Sequence, residues 1–139
     1  MQIRGGERIW IYPPREPFLR PRNVENTVRS VSTEGLDHQP WFDDYAEEHH
    51  MQPGDLLHWA LNGPHRVAND ATMSVSLTTE HWTSSVRRSY AMNYGNGLLR
   101  SVLGWRPRSQ STSGMAFWAK AAMSAAWRAS GMQARQSYQ

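Results

Sequence analysis

The chain contains no cysteine, which excludes disulfides, thiolate zinc sites and a cysteine nucleophile. Lysine is almost as scarce: Lys120 stands alone, and every other basic residue is arginine. No apolar run approaches the ~20 residues a membrane-spanning helix needs. The opening Met1-Gln2-Ile3-Arg4 lacks the apolar stretch of a signal peptide. A cytoplasmic chain with no membrane partner is expected. Acidic residues are missing from the whole of 81–139, which holds seven Arg and Lys120. What is present suits a folded domain: 139 residues, 39% hydrophobic and 19% charged, are globular rather than disordered proportions.

The net charge of +3 hides a strong asymmetry. Residues 30–80 carry nine acids against the single base Arg66. The basic stretch that follows would attract nucleic acid or anionic lipid. It would equally pair with the acidic middle of the same chain or of another subunit. That pairing is the expectation adopted, with no nucleic-acid partner.

Glu7-Arg8-Ile9-Trp10-Ile11-Tyr12 alternates and is rich in aromatic and β-branched residues, so it reads as a strand. Pro13-Pro14 ends it, and residues 22–43 show no sustained period, which predicts a long loop. Further strands are expected around 45–51, at 55–59 and at 73–79, the last from the alternation of Met73-Ser74-Val75-Ser76-Leu77-Thr78. The strands at 7–12, 55–59 and 73–79 are expected in one antiparallel sheet. The period then changes. Val86, Tyr90, Tyr94, Leu98 and Val102 recur every four residues behind the candidate caps Thr83 and Ser84, predicting a helix over 85–103. Gly95 and Gly97 each weaken it by about 1 kcal/mol relative to Ala, so a kink is expected there. Gly104 and Pro107 stop it, and Met115–Ala129 reads as a second helix. The division is a β domain over 1–82 and a helical appendage over 83–139.

The stretch Pro53 to Asn69 carries the most specific spacing. His65 lies eleven residues after Gly54, and Asn69 four further on. This resembles the second conserved motif of the cupin superfamily, with Ala60 and Asn62 standing where that motif has proline and glycine. Gln2-Ile3-Arg4-Gly5-Gly6-Glu7-Arg8-Ile9-Trp10-Ile11-Tyr12-Pro13-Pro14 resembles the strand–turn–strand of JmjC-type and bacterial cupin-like hydroxylases. Asn93, Leu99 and Arg100 resemble the pattern of that family's C-terminal helices. The resemblance implies a mainly-β fold with C-terminal α: half of a double-stranded β-helix, the cupin jelly roll, followed by helices.

It also implies Fe(II) held by two histidines and a carboxylate, with 2-oxoglutarate as cosubstrate. His65 matches the second histidine. The first histidine and the acid belong upstream of the Gln2-Ile3-Arg4-Gly5 strand, so that pair is expected to be absent. The family's cosubstrate lysine falls at Glu7, a like charge against a dicarboxylate. Rebuilding a site would need other ligands. Asp37-His38 and His49-His50 are adjacent residues, and neighbours on a strand point to opposite faces. His58 with His65 and either Glu47 or Glu48 is the remaining combination, with His58 the weaker ligand. Ser74, Ser76 and Thr78 have no base motif nearby, and Gly5-Gly6 is a turn rather than a phosphate loop. Trp105, Trp118 and Trp127 sit at helical spacing and are expected in the core or at a subunit contact.

Two functional expectations result. One is a relative of the Fe(II)/2-oxoglutarate hydroxylases, incomplete or inactive as this chain. The other is a non-catalytic binding or assembly module. An unpartnered sheet predicts a homo-oligomer, or a missing N-terminal half.

Overall fold

The computed structural model describes residues 1–30 and 38–131. They fall into two units, residues 1–20 with 38–81 and residues 21–30 with 82–131.

In the first unit the strands are β1 (Gln2–Arg4), β2 (Glu7–Ile11), β3 (Glu47–Met51), β4 (His65–Asn69) and β5 (Val75–Ser76). β2 is the middle strand of an antiparallel sheet ordered β3-β2-β4, and β1 pairs with β5 in a separate two-stranded sheet. Gly5 turns the chain between β1 and β2 at φ +70°, where a Cβ would also collide with the Met73 carbonyl. Gln2 is fully buried beneath β1. Its Nε2 lies 2.8 Å from Ser74 Oγ and 3.0 Å from the carbonyl oxygens of Arg4 and Gly5. An apolar cluster of Tyr12, Phe18 and Phe42, with Trp10 and Ala46 against it, closes one side of the three-stranded sheet. Phe42 reaches it from a 3₁₀ turn at Pro40–Tyr45 and meets Phe18 edge-on at 4.9 Å between ring centres.

The second unit is three helices, α1 (Pro21–Ser30), α2 (Ser84–Leu103) and α3 (Gly114–Ala129). Pro21 opens α1, a position whose N–H has no helical partner anyway. Thr83 caps α2, its hydroxyl accepting from the Val86 N–H, and Gly104 ends α2 in the left-handed region at φ 64°. Every residue of α2 from Met92 to Leu98 is buried. α1 packs where Gly97 leaves room: a Cβ there would lie 3.1 Å from the Glu25 carbonyl oxygen. α3 packs where Gly95 leaves room, 2.8 Å from Lys120 Cβ. Val28, Tyr94 and Leu98 form the core of this unit, with Val24, Tyr90, Met123 and Trp127 around them. The buried Glu25 accepts from Arg100 Nε at 2.7 Å and so ties α1 to α2.

Several expectations are overturned. Helices of ten, twenty and sixteen residues outweigh five short strands. The fold is therefore mixed α and β, and the mainly-β half of a double-stranded β-helix is not what forms. Of the loop expected over 22–43, residues 22–30 belong to α1 and 40–43 to a 3₁₀ turn, while 31–37 lie outside the described residues. Only Val24 and Val28 mark α1 with helical spacing, too sparse a signal to read. Residues 55–59 form no strand. Their neighbourhood bonds instead to β1, with Gln2 N donating to Asp55 O and Gly54 N to Gln2 O, both at 2.9 Å. The strand expected over 73–79 shrinks to β5 and joins β1 rather than the larger sheet. Nor does α2 break at its glycines. Their cost in helix propensity is offset by the close approach of the two neighbouring helices.

Gly95→Ala tests that last point. Alanine adds about 1 kcal/mol of helix propensity to α2 alone, but its methyl meets Lys120. Urea denaturation is expected to show a net loss of about 1–2 kcal/mol. A gain in stability would mean that α3 does not seat on Gly95.

Candidate functional site

The candidate residues are positioned by β2. Because residues directly opposite on antiparallel strands share a face, the register sorts them without ambiguity. Glu7, Ile9 and Ile11 stand beside Met51, His49 and Glu47 on β3 and beside Asn69, Val67 and His65 on β4. The opposite face carries Arg8 and Trp10 with His50, Glu48, Ala68 and Arg66.

On the first face His65 is exposed at the start of β4. Its Nδ1 donates to the Gly63 carbonyl at 2.9 Å, and the Trp59 ring lies 5.1 Å from its own. That bond sets the tautomer of the neutral ring and leaves Nε2 as a lone-pair donor, the state a metal ligand requires. His49 shares the face, but β2 lies between the two histidines. Two strand spacings and a two-residue offset put their backbones roughly 12 Å apart. Glu47 bends toward its strand neighbour His49, at 3.9 Å. His50 points away and lies 3.3 Å from Asp70 Oδ2. His58 is exposed in irregular chain, and Asp37 lies outside the described residues. Among the described residues no three His, Asp or Glu side chains converge where an ion could be held.

The residues present therefore do not fit an Fe(II) centre of the hydroxylase type. One imidazole is oriented for ligation, and among the described residues no second or third ligand joins it. Glu7 is buried on the same face, and its acidic side chain disfavours a dicarboxylate there.

The opposite face carries a cluster that sequence reading did not find. Tyr12 Oη donates to Asp43 Oδ1 at 2.7 Å, and Arg66 Nη2 donates to Asp43 Oδ2 at 2.8 Å. Arg66 Nε donates to Tyr12 Oη at 3.3 Å. His38 Nε2 lies 3.1 Å from Asp43 Oδ1 and 3.3 Å from the tyrosine oxygen. The Arg66 guanidinium also sits 3.7 Å over the Trp10 ring. The Tyr12 hydrogen bond, and after it the one from His38, holds the Asp43 carboxyl below its usual range. Burial, and after it the bond to Asp43, raises the Tyr12 phenol. A carboxylate made less basic and a phenol made less acidic do not exchange a proton near neutrality. The cluster is a staple between the 3₁₀ turn and the sheet. Its one legible signal was the alternation that puts Trp10 and Tyr12 on the same side of β2.

Comparison with protein-family models, with curated proteins and with solved structures finds no match to this chain.

The staple makes stability depend on acid. A carboxyl whose folded pKa lies below its unfolded value stabilises the fold above the unfolded pKa, and loses that effect as pH falls through the folded one. The wild-type chain should thus lose stability more steeply below about pH 4 than Asp43→Asn does, as read from thermal melts across that range. Parallel curves would show that Asp43 is not held as its contacts indicate.

Proposed function

We propose that this chain is a non-catalytic binding or assembly module that works in the cytoplasm and associates with a second copy of itself. The observation that carries this reading is the outer face of the two-stranded sheet. Ile3 on β1, and Met73, Val75 and Leu77 on and beside β5, are all exposed, Val75 by 41% and Leu77 by 54%. Four neighbouring apolar side chains in water are a marker of association. Burying each contributes about 1.5–3 kcal/mol, several of which would together match the stability of a small domain. β5 is also an edge strand, paired only with β1 among the described residues. Its free N–H and C=O groups suit pairing with another chain.

In sedimentation at micromolar concentration the chain should run as a dimer or larger. Val75→Asp with Leu77→Asp should return it to a folded monomer, and a monomeric wild type would overturn the reading.

The hydroxylase alternative keeps one observation, the oriented Nε2 of His65. It is tested by incubating the chain with Fe(II), ascorbate and 2-oxoglutarate and measuring succinate. The module reading expects weak Fe(II) binding and no succinate above a His65→Ala control, because one imidazole does not compete with water for an ion that takes three protein ligands. Succinate that depends on His65 would restore the enzyme.

A further inference from the structure

α3 turns one narrow stripe inward. Phe117, Lys120 and Ser124 are buried and Trp127 packs on the core, at the spacing of one helix face. The Lys120 ammonium is used internally, donating to the Ser109 carbonyl at 2.6 Å. Most of the rest of the helix faces out and is apolar, the exception being Arg128, whose guanidinium lies 4.3 Å from the centre of the Tyr94 ring. Met115 is 90% exposed and Trp118 62%, with Ala119, Ala122 and Ala126 also exposed. A large apolar helix face left in water is a marker of an interaction site.

The surroundings of this face restrict what covers it. Ser109 O also accepts from Asn96 Nδ2, so the segment leading into α3 is fastened between α2 and α3. That segment exposes Trp105 between the end of α2 and the exposed Arg106 and Arg108. Among the described residues no ion pair involves Arg106, Arg108, Arg87 or Arg88. No acid occurs anywhere after Glu80. A second copy of this face would bring like charge against like. Single-stranded nucleic acid would use the arginines and the tryptophan rings, and would leave Met115 and the alanine face in water. An anionic lipid surface satisfies both halves, with headgroups on the arginines and the acyl boundary on Trp118 and Met115.

We propose that the outward face of α3, together with Arg106 and Arg108 of the segment leading into it, binds an anionic lipid surface. The binding is peripheral, since no described helix is long and apolar enough to cross a membrane. It departs from the expected absence of a membrane partner because Trp105 and Trp118, expected in the core or at a subunit contact, are on the surface.

The test uses the full chain with vesicles of phosphatidylcholine alone and of phosphatidylcholine and phosphatidylserine in equal parts. Co-sedimentation should be at least tenfold stronger on the mixed vesicles, should weaken with salt, and should shift tryptophan emission to the blue. Trp118→Ser, and separately Arg106→Glu with Arg108→Glu, should each lower binding about tenfold with an unchanged circular dichroism spectrum; all three side chains are exposed, so the fold should survive. Val75→Asp with Leu77→Asp should bind vesicles like the wild type, which keeps this surface distinct from the one proposed for self-association. Equal binding to both vesicles, binding indifferent to the α3-face variants, or tighter binding to a single-stranded oligonucleotide than to mixed vesicles would overturn the proposal.

Discussion

The pairing of Glu7–Ile11 with a strand on each side governs what the first unit can do. A strand offers two faces, and its register decides which side chains from three separate parts of the chain meet on each. One face receives His49, His65, Glu47 and Glu7, and the other receives Arg66 and His50 beside Trp10. A slip of one residue would exchange these sets. The register itself is held by the Tyr12, Asp43 and Arg66 contacts, which fasten the end of β2 to the 3₁₀ turn and to β4. The residues that look most like chemistry, a Tyr–Asp–Arg cluster with a nearby histidine, are thus part of what orders the sheet. The residue best prepared for ligation, His65, is on the face where no further ligands gather.

A different constraint orders the second unit. α2 passes between two helices, and the approach is close enough that Gly95 and Gly97 face Lys120 and Glu25 with no room for a side chain. Glycine is a poor helix former, but here it admits backbone on both sides of one turn. The ion pair of Glu25 with Arg100 adds a directional tie within the same contact. With α1 and α3 seated this way, the apolar stripe of α3 is used up by Phe117 and Trp127, and Trp118 is left outside.

The two surfaces proposed to act have a common origin: apolar residues that local structure places outward. On and beside β5, Met73, Val75 and Leu77 are exposed while Gln2 of the paired strand is buried with its amide on Ser74. On α3 it is rotation about the helix axis, fixed by Lys120 and its bond to Ser109. In neither case does a buried catalytic group enter.

From the sequence alone the strand at 7–11, the helix at 84–103 with its Thr83 cap and Gly104 stop, and the helix at 114–129 were legible, because each depends on local period and capping chemistry. α1 was not, because Val24 and Val28 mark it too thinly and its stability comes from α2 through Glu25 and Gly97. The irregular course of 55–59 was equally hidden, since what matters there is that β1 takes up its backbone hydrogen bonds and β2 pairs with β4. For the site, the sequence pointed to His65 as the leading ligand and could show that adjacent histidines diverge. Only the tertiary structure decided that His49 and His65 are kept apart by β2, and that Asp43 reaches Tyr12 and Arg66 across the chain. Contacts between distant segments are set by register and by how closely backbones approach, and neither is written in the local spacing of residue types.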